Sequence, residues 1–349
     1  MKTSSNNWKK TWFTTGALFL LCVVCAEFAL RSVGYFPEID DRLAWANLRG
    51  NASDDEGKVI ALLGDSRMVY NISTETLREQ YPGYHIAQLA LVGKSPLAVL
   101  EDLANDPKFK GIVICAVSCD RLRSIHQKDQ QEYVDYYHKG KNRTEGINRK
   151  ITAFFQTYSV MLRSEKKIMS IGRTILRSQP LGGRSLVHNF PDRSGGVNLH
   201  AYKEKDLLQM VDNRKKREKK STPITPADWL HEAMKTEPLV QKIQSRGGRV
   251  IFIRMPTSEE YLEIEYRQYP KTKYWDRFEA VTSAETIHFE NIAALKNFDL
   301  PDRSHIDITD KPRFTQVVLD EINSLEKNSS FRSNRIARKK NGANSSRVQ

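Results

Sequence analysis

Apolar positions along this chain fall into two kinds of run. One is long and stands alone near the start: Trp12 to Leu30 reads WFTTGALFLLCVVCAEFAL, broken only near its far end by Glu27. The others are short and alternate with segments of helical spacing. Lys58 to Leu63 (KVIALL) is apolar after its lysine and stops at Gly64. His85 to Ala90 (HIAQLA), Gly111 to Val117 (GIVICAV), Arg249 to Ile253 (RVIFI) and the shorter Thr286 to Phe289 follow. Unbroken apolar runs of this length read as strands buried on both faces. Between them the spacing predicts helices over Thr74 to Gln80, Ser95 to Asn105 with Pro96 in its first turn, and Ala227 to Arg246, which ends at Gly247-Gly248. A last helix is predicted over Thr309 to Leu325, where Phe314, Val317, Val318, Ile322 and Leu325 share a face. Buried strands alternating with helices imply an α/β fold of three layers, α/β/α, around a central parallel sheet of about five strands.

The stretch from 120 to 235 breaks this alternation. It is polar and rich in Lys, Arg and Tyr; Ile151 to Leu176 has helical spacing, and Leu181 to Val197 is Gly-rich and loop-like. It reads as an insertion or cap of helices and loops. Residues 32–57, with Pro37, Asp40, Asp41 and the polar run NASDDEG, read as a linker. The organisation expected is therefore an N-terminus and span over 1–31, a linker over 32–57, a domain over 58–325 and a basic, disordered tail over 326–349.

About 19 residues of helix match the core of a bilayer, so Trp12 to Leu30 is long enough to span one. Lys2, Lys9 and Lys10 precede it and place the N-terminus in the cytoplasm. The expectation is a single-pass signal anchor, with everything after residue 31 in the periplasm or outside the cell. A cleaved signal peptide is the main rival, but Val24-Cys25-Ala26 runs straight into Glu27 without a small-x-small site. A lipoprotein site at Cys25 lacks the small residue wanted at position 24. A buried helix of the domain is the third reading.

Composition narrows the class. Hydrophobic residues at 39% and charged residues at 28% exclude a fully disordered chain. The net charge is +13. Arg214 to Lys220 (RKKREKK) holds +5 of it, and Glu326 to Gln349, with seven basic residues and one acidic, holds +6. The domain itself is nearly neutral, so no nucleic-acid partner is expected. The four cysteines form no disulfide framework, and neither they nor the histidines have metal-ligand spacing, so no metal or cofactor is expected.

Ligands of parallel α/β sheets bind at the carboxyl ends of strands. The first strand ends in Gly64-Asp65-Ser66-Arg67. A serine at a tight strand-to-helix turn exposes its hydroxyl there, and the turn's N–H groups can face an oxyanion. Serine needs a base. Leu300-Pro301-Asp302-Arg303-Ser304-His305-Ile306-Asp307 follows the last strand and precedes the last helix, so it reaches the same edge. Asp302 would orient His305, and His305 would take the proton of Ser66. The plainer alternatives are a helix cap for Ser66 and a surface turn for Asp302 and His305. Asp65 reads as structural, bonding backbone near the turn. Arg67 and Arg254, near strand ends, are candidates for an anionic substrate group or for salt bridges.

A strand running into GDS, paired with D-x-x-H before the final helix, resembles the SGNH (GDSL-like) hydrolase superfamily, whose fold is flavodoxin-like. LALVGKSP at 89–96 is similar to the second family block, and GGRVIFIRMP at 247–256 looks like a later core strand. The resemblance covers about Lys58 to Leu325, with 120–235 poorly matched. It implies Ser66, Asp302 and His305 as catalytic residues, with the N–H groups of Ser66 and Gly93 in the oxyanion hole. The family's asparagine after the third strand is missing. That strand runs into Ala116-Val117-Ser118-Cys119-Asp120, where Ser118 is the candidate for a substitute hydroxyl donor. With the apolar N-terminal run, the pattern resembles membrane-associated polysaccharide O-acetylation proteins or DltD-type proteins. The function implied is a membrane-anchored serine esterase or O-acyltransferase acting through an acyl-enzyme on ester groups, chiefly O-acetyl, of a cell-envelope or exported polysaccharide. The implied partners are that polysaccharide, its assembly machinery and the membrane through residues 12–30. The competing reading is a non-catalytic, membrane-tethered accessory protein that binds glycan or partner subunits.

Overall fold

Every short apolar run finds a neighbour. The computed structural model describes residues 5–32, 42–53, 56–139, 151, 154–155, 158–162, 187–218 and 224–327. Its strands are β1 (Val59–Leu63), β2 (His85–Gln88), β3 (Ile112–Ala116), β4 (Val187–Asn189), β5 (Gly195–Val197), β6 (Arg249–Arg254) and β7 (Glu285–His288). Five of them form one sheet in the order β2-β1-β3-β6-β7, all parallel. Counting only those five, the order is 2-1-3-4-5, that of a doubly wound sheet whose switch point lies at the carboxyl ends of β1 and β3.

Alternation along the strands sorts the core into two halves. Val59, Ala61 and Leu63 of β1 join Val113, Cys115, Val250 and Phe252 on one face. Ile60, Leu62, Ile114, Ala116, Ile251 and Ile253 occupy the other. Helix α1 (Ser5–Ser32) takes no part in either half. The first face is covered by α2 (Arg42–Asn51), helices Pro226–Ala233 and Glu237–Gln244, and helix Trp275–Val281. Helices α3 (Ser66–Asn71) and α4 (Thr74–Gln80), with the last helix at 311–327, cover the second. Helix α5 (Leu97–Asn105) lies on the first face through Leu97, Leu100 and Leu103. The fold is a three-layer α/β/α sandwich.

Helix α1 contains one stretch, Trp8–Ser32, long and apolar enough to cross a membrane. Its Phe13, Phe19 and Phe28 side chains are exposed.

Three expectations change. Residues 42–53, expected to be linker, are part of the domain: Trp45 is fully buried and its indole N–H donates to Leu89 O at 2.9 Å. Arg49, also buried, pairs with Asp102 and, at 3.0 Å, with Asp106 of the α5 region. The helix is short and set between the acidic pair Asp40-Asp41 and the polar run NASDDEG, so it reads as linker until its contacts are seen. The single helix expected over Ala227 to Arg246 is two, Pro226–Ala233 and Glu237–Gln244, joined by a 3-10 turn at Met234–Thr236. Pro238 has no N–H to continue the ladder. Residues 187–197, expected to be loop, form an antiparallel hairpin of β4 and β5. Most of Ile151 to Leu176 and the tail 328–349 lie outside the described residues. The backbone of the basic run at 214–220 continues helix Glu204–Glu218 as far as Glu218.

Trp45→Ala is expected to cost about 3–5 kcal/mol, the usual range for a buried tryptophan. Urea unfolding of the full chain checks it. A loss below about 1 kcal/mol would mean that α2 is dispensable.

Candidate active site

Gly64, just past β1, turns the chain with φ +147°. A Cβ there would lie 2.9 Å from both the Cβ and the carbonyl oxygen of Ala116 at the end of β3. The turn thus needs glycine for conformation and for room. Asp65 caps α3, its carboxylate accepting from Arg67 N–H at 3.0 Å, as its structural reading requires. Ser66 is the first residue of that helix, so its N–H has no intrahelical acceptor. Gly64→Ala adds strain and overlap together, and about 2–5 kcal/mol of destabilisation is expected. Urea unfolding measures it, and reactivity of Ser66 toward a fluorophosphonate should fall with it.

The second half of the site is a local turn around Asp302. Its Oδ1 accepts from the backbone N–H groups of Ser304 at 3.0 Å and His305 at 2.7 Å. Its Oδ2 faces His305 Nδ1 at 2.7 Å. The other ring nitrogen, Nε2, lies 2.8 Å from Ser66 Oγ. An ionised Asp302 can only accept, which puts the imidazole proton on Nδ1 and leaves Nε2 as the acceptor for the serine hydroxyl. Burial works against the Asp302 carboxylate, but the His305 ring and the two backbone donors outweigh it and lower its pKa to about 2.

Arg67 and several residues that periodicity and motif did not single out hold the two halves together. Asn71 Oδ1, at the end of α3, accepts from Ile306 N–H at 3.1 Å. Arg67 Nε donates to Ser304 Oγ at 3.3 Å. The Tyr70 ring stands edge-on to His305 with centroids 5.6 Å apart. The insertion contributes as well. Ile308 N–H donates to Val197 O at 2.9 Å, and His200 N–H to Asp307 at 3.0 Å. A Cβ on Gly195 would come within 2.8 Å of Tyr70, so β5 packs directly against the helix of the nucleophile. Asn71 and Tyr70 are one helical turn beyond Ser66, the single local signal that pointed to them. Nothing local pointed to the hairpin.

Gly93 has φ +73° in the turn closed by Lys94 N–H on Leu91 O at 3.1 Å. Leu91 N–H donates to Gly64 O at 3.1 Å, which lays this turn beside the serine. Ser66 and Gly93 therefore stand at the same sheet edge, each two residues past this bond. Ser118 lies two residues past β3, partly exposed, at the same edge. No contact of its hydroxyl with either is found among the described residues.

The expectation that Arg67 and Arg254 receive an anionic substrate group is corrected. Arg67 is buried and bonded to Ser304. Arg254 is 2% exposed and spends its guanidinium on Glu265, Met255 O and Thr257. Both are internal braces, because a buried guanidinium must be paired where it sits.

No protein-family model matches this chain, and no curated protein matches it significantly. Among solved structures, the one titled "Crystal Structure of TesA" aligns with 76% of this chain and 99% of its own, at 12% identity and a TM-score of 0.34. The fold assignment rests on the strand order and register described above.

Proposed function

We propose that this chain is a serine esterase or O-acyltransferase of SGNH type, anchored to a membrane, acting on ester groups of a cell-envelope or exported polysaccharide, chiefly O-acetyl. The observation that carries the reading is the linked pair of contacts, Ser66 to His305 at 2.8 Å and His305 to Asp302 at 2.7 Å. A helix that can cross a membrane motivates the location, and the resemblance of the motifs motivates the substrate class.

In this reading Ser66 Oγ attacks the ester carbonyl as its proton passes to His305 Nε2. The imidazolium is stabilised by the ionised Asp302. The carbonyl oxygen becomes an oxyanion facing the N–H groups of Ser66 and Gly93. Collapse breaks the bond to the leaving alcohol, which departs with the proton from Nε2, and leaves acyl-Ser66. Water or a sugar hydroxyl then gives its proton to His305 and attacks. Release of the acid or of a new ester restores the serine hydroxyl. Hydrolysis and transfer differ only in that second nucleophile.

The full chain in detergent should release acetate from an activated acetyl ester and from an O-acetylated polysaccharide. Equal rates for wild type and Ser66→Ala would refute catalysis at Ser66. The accessory reading draws on one specific observation, the absence of an asparagine after β3. Stoichiometric labelling of Ser66 by a fluorophosphonate counts against it, and no labelling of folded protein favours it.

A further inference from the structure

Glu27 interrupts the apolar run of α1, and the structure supplies its reason. Its carboxylate accepts from Ser159 Oγ at 3.0 Å, Val160 N–H at 2.8 Å and Met161 N–H at 3.2 Å. Arg31, one turn on, pairs with Glu27 at 2.9 Å and donates to Tyr158 O at 2.7 Å. Leu30 packs on the fully buried Val160. The last two turns of the N-terminal helix thus hold residues 158–162 of the insertion by hydrogen bonds and a small apolar contact.

The same stretch turns aromatic rings outward. Phe154 is 60% exposed, Phe155 53% and Tyr158 66%. Their rings meet edge to face, with centroids 5.7 Å apart for Phe154–Phe155 and 5.3 Å for Phe154–Tyr158. A cluster of exposed aromatic rings needs a cover. Its depth along α1 identifies one. A hydrocarbon core of about 30 Å takes about 20 residues of helix. Counted from Lys10, whose ammonium belongs at the inner interface, that length ends at Leu30. Glu27, Leu30 and Arg31 then stand at the outer boundary of the bilayer, and they are the residues that grip 158–162. Phenylalanine and tyrosine side chains are favoured at that boundary.

We propose that Phe154, Phe155 and Tyr158 form a second membrane contact, inserted in the outer headgroup and acyl boundary beside the helix that spans the bilayer and clamped there by Glu27 and Arg31. The proposal rests on the reading of α1 as a retained membrane span. The insertion would then touch lipid with these rings, while its β5 strand is built onto the segment that carries His305.

The test uses the full chain in phosphatidylcholine vesicles, with Cys22→Ser and Cys25→Ser to leave only the buried Cys115 and Cys119. Phe155→Cys carries an environment-sensitive fluorophore, and Glu79→Cys, exposed on α4, carries the same label as control. The label at 155 should emit to the blue of the control and be quenched by lipid bearing a nitroxide near the headgroup. Glu27→Ala should abolish that quenching while the chain still resists alkaline extraction. Solvent-like, unquenched emission at 155 in a chain that resists extraction overturns the proposal and leaves the anchor standing. A blue shift without lipid quenching means a protein cover and also overturns it. Release of the chain by alkali defeats the anchor reading and the proposal together.

Discussion

Ser66→Ala is expected to lower kcat on an activated acetyl ester by about 10^4-fold or more, the loss seen when the nucleophile of a serine triad is removed. The substitution deletes the one atom that forms the acyl-enzyme and leaves His305 with nothing to deprotonate but water. Ser66 is partly exposed, and among the described residues its hydroxyl bonds only His305. Stability should therefore stay within about 0.5 kcal/mol of wild type. His305→Ala should fall by a similar factor, and the double variant should be no worse than either single one, because the two act as a unit. Acetate release measured on purified full-length variants checks all three. Losses that multiply in the double variant would mean that the pair does not act in one step.

Asp302→Asn is the second large effect, with kcat reduced about 10^4-fold. The amide can enter the site in only one orientation. The backbone N–H groups of Ser304 and His305 both point at Oδ1, at 3.0 and 2.7 Å, so the amide oxygen must take that position. The NH2 group is then directed at His305 Nδ1. That favours the tautomer with its proton on Nε2, which donates toward Ser66 instead of accepting from it. The same substitution changes acid stability. The folded pKa of Asp302, about 2, lies below the unfolded value. Its contribution is therefore fully present above about pH 4 and is lost as pH falls through about 2, an effect of roughly 2 kcal/mol. Urea midpoints measured across that window should fall less steeply in Asp302→Asn than in wild type. Parallel slopes would show that Asp302 is not the group responsible.

The central strands β1, β3 and β6 were legible because they are buried on both faces, which gives near-continuous apolar runs such as VIALL and IVICA. The candidate triad was legible for a related reason. In a parallel sheet the carboxyl ends converge, so a serine after one strand and an aspartate-histidine pair after another belong to one edge. The family resemblance added the expectation of an oxyanion role for Gly93, whose turn is joined to Gly64 by the Leu91 N–H. Helix boundaries were less legible. One apolar stripe covered Ala227 to Arg246, yet Pro238 divides it, since its missing N–H breaks the ladder whatever the stripe requires.

Residues whose partners are far away in the chain were not legible. Arg67 and Arg254 carry mobile-looking charges at strand ends, a pattern shared by substrate-binding and bracing arginines. The presence of Ser304 and Glu265 within reach decides between them. Trp45 sits in a short segment set between two polar stretches, and only the carbonyl of Leu89 and the space over the sheet explain its burial. The sequence alone determined the α/β class, the strands and the three residues of the candidate triad, because those follow from local periodicity and from the common edge of parallel strands. Tertiary structure alone decided the strand order, the inclusion of α2 in the core and the packing of β5 against the helix of Ser66 and the segment after His305. Each of these depends on contacts between residues tens or hundreds of positions apart, which no local pattern encodes.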